Sequence, residues 1–334
     1  MKVLLIPLDS KIPNLALMKL STYHKALGDE VSLTEQDPDL VLISVIFKEH
    51  KAIAEGLRKM FYDTEVCIGG SGYDLNQRMP IGVDLIRPDY SLYPDMDYSL
   101  GFTTRGCIRD CYFCIVREKE GYLRRVQHPR EFHNPEFKDI VLLDNNILAD
   151  KPWFMTVTDW ILEEDLHVDI NQGLDIRLMD KEIAERIHLL KRHRDKPWKF
   201  AFDDISLKDP VKDGISMLQK AGINIRRDVM FYVYCHDESQ VWDANDRCEL
   251  LRKWGTTAWV MPNKANRTKL VNALYRWGSR RQIFNTCTFY EYLRRKNLAT
   301  KDNHRSESQT CLYPSTDRLQ CDEDKGERQS IDQE

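Results

Sequence analysis

The sequence predicts an α/β protein made of two parallel-sheet domains in tandem, followed by a polar tail. Short apolar runs alternate with amphipathic stretches along most of the chain, which is typical of buried parallel strands connected by helices. With 334 residues and 42% hydrophobic content, the chain can bury a sizeable core. Residues 299–334 differ, because they hold five Lys/Arg and nine Asp/Glu with few aliphatic side chains. We expect this acidic tail to be disordered.

The first domain is expected over residues 1–90. Apolar runs predict strands at residues 3–6, 40–46 and 65–68, and amphipathic stretches predict helices at residues 15–26 and 50–61. Strands that are apolar on both faces and alternate with helices indicate a doubly wound parallel sheet. The sequence therefore predicts a Rossmann-like domain here.

The second domain is expected over residues 91–262, after a proline- and aspartate-rich segment at residues 80–98 that has the composition of a linker. Strands are predicted at residues 99–104, 140–143, 168–171, 199–202, 229–234 and 257–260, and helices at 152–164, 180–193, 211–221 and 239–253. Six βα units fit a partial (β/α)6 barrel. In such barrels the reacting groups gather at the carboxyl ends of the strands.

Three cysteines follow the first predicted strand of that barrel with the spacing C-x-x-x-C-x-x-C, at Cys107, Cys111 and Cys114. Three thiolates can hold a [4Fe–4S] cluster and leave one iron open for chemistry. Structural zinc is the alternative, but zinc prefers four nitrogen or sulfur ligands, and no second pair lies nearby. No further cysteine occurs before Cys235, so a ferredoxin-type fourth ligand is not supplied at a regular interval.

The stretch from Gly101 to Cys114 resembles the cluster motif of the radical S-adenosylmethionine (radical SAM) superfamily, including Phe113 directly before the last cysteine. The resemblance implies that S-adenosylmethionine chelates the open iron, and that an electron from the cluster cleaves it to a 5′-deoxyadenosyl radical that abstracts hydrogen. It also implies a low-potential electron donor of the flavodoxin or ferredoxin type. The resemblance covers residues 98–262 well and residues 1–90 more loosely.

Candidate ligands of S-adenosylmethionine follow the second predicted strand of the barrel. Asp144, Asn145 and Asn146 occupy the position where the superfamily often has a Gly-Gly-Glu-like segment that takes the amino group of the cofactor. A turn or helix cap is the alternative, since Asp and Asn favour both.

Further candidates follow the third and fourth strands. Arg177 can fork onto a carboxylate, and Gln172 and Asp175 can bond hydroxyl groups. Asp203 lies where the superfamily usually keeps polar residues that contact the ribose. A structural ion pair between Arg177 and Asp203 is the alternative.

The first domain resembles the cobalamin-binding module that precedes many radical SAM domains, in residues 13–17 and in the Gly-Gly turn after the third strand. It lacks the D-x-H-x-x-G motif whose histidine ligates cobalt. Gly69, Gly70 and Gly72 could approach a phosphate, but glycines in such a turn more often serve the backbone. We therefore expect no bound cobalamin and a structural or substrate-covering role.

A basic aromatic extension is expected over residues 263–298. Residues 260–297 hold nine Lys/Arg and one acid, Glu291. Aromatic residues are interleaved with the charges: Tyr275, Trp277, Phe284, Phe289, Tyr290 and Tyr292. Basic groups can contact phosphates and aromatic rings can stack on bases, so residues 264–296 predict a nucleic acid or nucleotide partner, for which the acidic tail would compete. The alternative is an amphipathic helix with its aromatics packed on the barrel.

Nine cysteines, an odd number, argue against a disulfide framework and favour a reducing compartment. The N-terminal apolar run reaches Pro7 too early for a signal peptide, and no run approaches a membrane span. We expect a cytoplasmic radical SAM enzyme that makes no membrane contact and modifies a nucleic acid or nucleotide. The alternatives are a small metabolite or peptide as substrate, or a non-enzymatic iron–sulfur protein that binds nucleic acid.

Overall fold

The structure, a computed structural model, describes residues 1–298. Met1–Phe289 form one compact unit, and a second unit begins at Tyr290. Helices and parallel sheets make up the first unit. Among the described residues, none of the helices combines the length and the apolar character that a membrane span requires.

Four parallel strands form the N-terminal sheet, in the spatial order β2-β1-β3-β4. The elements are β1 (Lys2–Pro7), α1 (Leu15–Ala26), β2 (Glu30–Ser32), β3 (Leu40–Ser44), α2 (Lys51–Met60) and β4 (Glu65–Gly69). The parallel α/β sheet predicted for this region is confirmed. Strand β2 was not predicted, because its three residues include one aliphatic side chain, Val31, and none is fully buried.

Six further parallel strands of four to seven residues follow in the described chain. Strands β5 (Tyr98–Gly101), β8 (Asp139–Leu142) and β9 (His167–Ile170) belong to one sheet, with the short β10 (Lys191–Arg192) at its edge. Strands β11 (Trp198–Ala201), β12 (Val229–Cys235) and β13 (Thr257–Pro262) form a second sheet, which an isolated bridge between Leu174 and Phe200 links to the first. A short antiparallel pair, β6 (Thr104–Arg105) and β7 (Arg124–Arg125), lies beyond β5.

Helices separate these strands or follow the last of them in the chain. They are α3 (Val116–Glu120), α4 (Pro129–Phe132), α5 (Lys151–Glu163), α6 (Lys181–Leu189), α7 (Lys208–Lys220), α8 (Ile225–Asp228), α9 (Val241–Lys253), α10 (Lys269–Gly278), α11 (Arg281–Phe284) and α12 (Phe289–Arg295). Asp180 caps α6, since its carboxylate accepts the N–H of Ile183.

Two predicted elements are wrong in extent. The single strand expected at residues 99–104 ends at Gly101, because the next backbone N–H groups, those of Thr103 and Thr104, bond the carboxylate of Asp144 and leave the sheet. The helix expected at residues 180–193 ends at Leu189, where the chain extends into β10.

The predicted linker at residues 80–98 packs closely on the folded unit. Val83 is fully buried, and the carboxylate of Asp89 accepts hydrogen bonds from Ser21 and Lys25 of α1. Tyr90 donates its hydroxyl to the carbonyl of Phe132. The segment thus joins the two sheets through specific contacts.

One face of the six strands, here called the inner face, can be followed through the strand register. Leu100 pairs with Val141, and Val141 pairs with Asp169. Leu100 and Val141 belong to a hydrophobic cluster with Val3 of β1 and Leu17 of α1. Elements of the N-terminal region therefore cover the inner face over β5 and β8.

The inner face changes character beyond β8. The carboxylate of Asp169 bonds the ammonium of Lys199 on β11. Two residues further along β11, Ala201 pairs with Tyr232, and Tyr232 pairs with Trp259. Polar and aromatic side chains therefore replace aliphatic ones over β9–β13.

Candidate functional site

The three cysteines lie on one loop between β6 and α3, beyond the carboxyl end of β5. Cys107 and Cys111 are partly exposed and Cys114 is exposed. Glu120, at the end of α3, holds both ends of the loop because its carboxylate accepts the N–H of Gly106 at 3.0 Å and an Arg105 N–H at 2.9 Å. The loop is therefore closed by contacts within itself.

Asp144 lies beneath this loop at the carboxyl end of β8 and is fully buried. Its carboxylate accepts four hydrogen bonds, from the backbone N–H and the hydroxyl of both Thr103 and Thr104, at 2.6–3.0 Å. Burial raises the pKa of Asp144, and the threonine donors oppose that rise. Because both oxygens are occupied, Asp144 fixes the path of the chain into the loop; it is neither a turn residue nor a helix cap.

The two residues after Asp144 connect the loop to neighbouring elements. Asn145 donates to the Glu120 carboxylate at 2.7 Å. Asn146 is buried, and its Nδ2 lies 3.6 Å from the Cys107 sulfur and 3.4 Å from the Asp175 carboxylate. The Oδ1 of Asn146 is buried without a hydrogen-bond partner among the described residues. Asn146 thus offers a buried acceptor beside the cysteine loop.

Asp175 is the centre of an ion-pair cluster at the carboxyl end of β9. Arg177 forks onto its carboxylate at 2.6 and 3.0 Å, and Arg109 of the cysteine loop donates to it at 2.9 Å. Burial alone would raise the pKa of Asp175, but the two guanidinium groups outweigh burial and lower it. A continuous chain of contacts therefore runs from Cys107 through Asn146 to Asp175 and both arginines.

The ion pair considered between Arg177 and Asp203 does not form, since Arg177 pairs with Asp175. Asp203 follows β11 and accepts the backbone N–H of Tyr234 at 2.8 Å. Burial raises the pKa of Asp203. Gln172 is exposed and takes no part in the contacts described above.

Phe113 stacks on Tyr234 of β12, with ring centroids 4.2 Å apart and an interplanar angle of 20°. Its neighbour Tyr112 is 71% exposed and meets the edges of Tyr234 and His236. The aromatic residue before Cys114 therefore attaches the loop to the inner face of β12.

No group of three His, Cys, Asp or Glu side chains within residues 1–298 is arranged to hold a metal ion. Burial raises the pKa of Cys111 and of Cys114, and the charge of Cys107 raises both further. The three thiols thus share one loop, but the structure does not gather their sulfurs into a preformed metal site.

The glycine-rich turn after β4 serves the backbone. A side chain at Gly70 would overlap the carbonyl of Val45, and one at Gly72 would lie 2.5 Å from the backbone of Phe47. The N–H of Gly72 donates to the carbonyl of Val45 at 2.9 Å. These glycines let the turns after β3 and β4 pack closely together.

The basic extension differs from its prediction in where the aromatics lie. Trp277, Phe284 and Phe289 are buried, so none can stack on a base. Tyr275 is partly exposed, and the guanidinium of Arg267 lies 5.0 Å from its ring centroid. The alternative of aromatics packed on the fold is confirmed for the three buried residues.

Sequence reasoning missed three residues that shape the site: Arg109, Glu120 and Tyr234. Arg109 lies inside the motif, and its charge between two cysteines was the available signal. Glu120 and Tyr234 act through contacts across 14 and more than 100 residues of chain, which no local pattern reveals.

No model of a known protein family matches this chain, and no curated protein matches it in sequence. Any functional proposal for this protein therefore rests on the residues of the site and their geometry.

Gly106, directly before Cys107, has φ +80°, and an added Cβ would overlap the Tyr122 carbonyl. We expect Gly106→Ala to distort the loop and to lower both thermal stability and the iron content of reconstituted protein. Gly121→Ala is the matched control, since Gly121 has φ +76° and nothing within 4 Å. It should cost about 1–3 kcal/mol of backbone strain alone, since φ 76° and ψ −149° lie in a region that only glycine adopts readily. Equal losses in the two variants would show that the overlap at Gly106 is unimportant.

Proposed function

We propose that the protein is a radical SAM enzyme whose cysteine loop holds a [4Fe–4S] cluster. The observation that supports this most is the chain of contacts from Cys107 through Asn146 to Asp175, which joins the loop to the ends of β8 and β9. We further propose that the six parallel strands form the partial (β/α)6 barrel of that superfamily. Polar groups at the carboxyl ends of its strands then face the loop, as they do in catalytic barrels.

The residues present fit the cluster in donor chemistry. Cys107, Cys111 and Cys114 supply three sulfur ligands, and the fourth iron would stay open. The Cys107 sulfur already lies near two donors, the Arg109 N–H at 3.3 Å and the Asn146 amide. Hydrogen bonds to ligand sulfurs are a recognised means of tuning such clusters. When bound, the cluster would supply the electron that cleaves S-adenosylmethionine.

The same side chains fit the methionine end of the cofactor. The buried Asn146 Oδ1 can accept from an ammonium group, and Arg177 can fork onto a carboxylate. Arg177 is now held by Asp175, so the cofactor would share this guanidinium with a carboxylate that Arg109 also stabilises. Asp203 lies near enough to favour the charged form of Arg177, and its carboxylate would accept from a hydroxyl of the ribose.

The proposal includes a low-potential electron donor of the flavodoxin or ferredoxin type and a reducing, cytoplasmic setting. All seven cysteines of the described residues are free thiols, which agrees with such a setting. A nucleic acid or nucleotide is the proposed substrate class.

We expect Arg177→Ala to weaken binding of S-adenosylmethionine by about 10- to 100-fold, since a lost charge-assisted bond costs about 1.5–3 kcal/mol. Iron content should stay at about four per chain, because Arg177 is not a cluster ligand. Anaerobic calorimetry on reconstituted protein would measure the affinity. Arg130→Ala is the control, since Arg130 is exposed and lies on α4, outside the contacts described above. Unchanged affinity in Arg177→Ala would reduce Arg177 to a structural partner of Asp175.

A further inference from the structure

The inner face of β13 carries two large apolar side chains that stay exposed. Trp259 and Met261 are 40% and 45% exposed, whereas the residues that alternate with them, Ala258 and Val260, are buried. Alternation of this kind means that helices cover one face of the strand and solvent reaches the other. Exposed apolar side chains that lie together can contribute to a binding surface.

This surface is continuous with the cysteine loop. Met261 pairs with Tyr234, whose ring stacks on Phe113 next to Cys114. Trp259 pairs with Tyr232, two residues before Tyr234 on β12. Adjacent strands lie about 4.8 Å apart and alternate residues about 6.6 Å, so Trp259 lies on the order of 8 Å from Tyr234. A ligand stacked on Trp259 would therefore lie close to Tyr234 and to Phe113, which stacks on it.

Cations border the side of this surface that lies away from the cysteine loop. Tyr275 meets the edge of Trp259 at 6.3 Å, and Arg267 lies over Tyr275. Residues 262–289 contain no Asp or Glu. Their six cations are all exposed: Lys264, Arg267, Lys269, Arg276, Arg280 and Arg281. Lys264 has an acidic neighbour, Glu49, at 3.6 Å. The charge is therefore complementary to a polyanion whose flat groups can reach Trp259.

Hydrogen-bonding groups border the same surface at the strand ends. The Tyr234 hydroxyl lies 3.0 Å from Nδ1 of His236 and 3.3 Å from the Asn263 amide. Asn266 approaches the other nitrogen of the His236 ring at 3.3 Å. These groups are only partly buried, and hydroxyl, amide and imidazole can each donate to or accept from a ribose 2′-hydroxyl.

We propose that this surface binds single-stranded RNA, with an unpaired base stacked on Trp259 and backbone phosphates on Arg267 and Lys269. Base stacking needs an exposed aromatic face, phosphate binding needs unopposed cations, and RNA normally presents unpaired bases in its loops. The inference names the substrate class of the proposed enzyme. It rests on the proposed function, because it takes the cysteine loop as the site of the reaction. It assigns base stacking to Trp259 instead of the buried aromatic residues of α10–α12.

Fluorescence anisotropy with a labelled single-stranded RNA of mixed sequence tests the inference and needs neither cluster nor S-adenosylmethionine. Trp259→Ala should weaken binding about tenfold, and Trp259→Tyr should restore most of it. Arg267→Glu/Lys269→Glu should weaken binding at low salt and flatten the logarithmic salt slope by about 0.7 for each phosphate that is no longer neutralised. Tyr62→Ala and Lys212→Glu/Lys220→Glu, which alter exposed residues elsewhere, should leave affinity unchanged.

The inference would be overturned by no binding, by equal binding of the same sequence as DNA or as a duplex, or by unchanged affinity in Trp259→Ala. Competition by poly-glutamate as strong as that by RNA would also overturn it, because the surface would then recognise charge alone. Intact RNA binding without cleavage of S-adenosylmethionine would contradict the proposed reaction alone. Intact cleavage without RNA binding would contradict this inference alone.

Discussion

Replacing Cys107, Cys111 or Cys114 with alanine should abolish the iron content of anaerobically reconstituted protein and with it all cleavage of S-adenosylmethionine. Each thiolate is one of three proposed ligands, and a cluster with two protein ligands would not be retained. The expected fall is from about four irons per chain to nearly none, a loss larger than any other single substitution should cause. Iron analysis and visible absorbance would measure it.

Cys67→Ala provides the matched control. Cys67 is, like Cys114, an exposed free cysteine, but it lies on β4 of the N-terminal sheet. Its removal should leave iron content and absorbance unchanged. If a variant lacking any one of the three loop cysteines kept full iron content, the cluster assignment would fail.

Asp144→Ala should cost the protein about 3 kcal/mol or more in free energy of unfolding. The change leaves two buried backbone N–H groups and two threonine hydroxyls without their acceptor, and each unsatisfied buried group costs about 1–3 kcal/mol. Urea denaturation would measure the loss. Asn145→Ala is the control, since Asn145 is partly exposed and makes one side-chain hydrogen bond to Glu120. It should cost about 1 kcal/mol.

The stability difference between the wild type and Asp144→Ala should also depend on pH. Burial raises the pKa of Asp144 above its ordinary value of 3.8. A carboxyl group with a raised pKa contributes its full stability below pH 3.8 and loses it as the pH rises through the folded-state value. The difference should therefore shrink as the pH rises from 3.8 towards neutrality. A difference that grows over this range would show that the threonine donors outweigh burial and hold the carboxylate as an anion.

The parallel α/β architecture was predictable because buried strands have a local signature. Strands such as β3 and β12 are apolar runs bounded by polar residues, and the structure places them within about two residues of their predicted limits. Strand β2 and the break after Gly101 were not predictable in the same way. The first has no apolar run, and the second depends on Asp144, some forty residues along the chain.

The candidate site was predictable in its residue types but not in its pairings. Strand-end positions singled out Asn146 and Arg177 as cofactor ligands, which stays a prediction. In the structure Asn146 lies beside Cys107, and Arg177 shares Asp175 with Arg109 of the loop. Their partners differ from expectation, since Arg177 pairs with Asp175 and Asp144 is occupied by Thr103 and Thr104. Ion-pair choice among adjacent acids is set by side-chain geometry, which a sequence pattern does not contain.

The most direct test of the central proposal is to measure 5′-deoxyadenosine after anaerobic reconstitution with iron and sulfide and reduction with dithionite. We predict that the wild-type protein forms 5′-deoxyadenosine from S-adenosylmethionine, while the Cys107→Ala, Cys111→Ala and Cys114→Ala variants form none. A wild-type protein that holds about four irons per chain and forms no 5′-deoxyadenosine would contradict it and would indicate a non-enzymatic iron–sulfur protein.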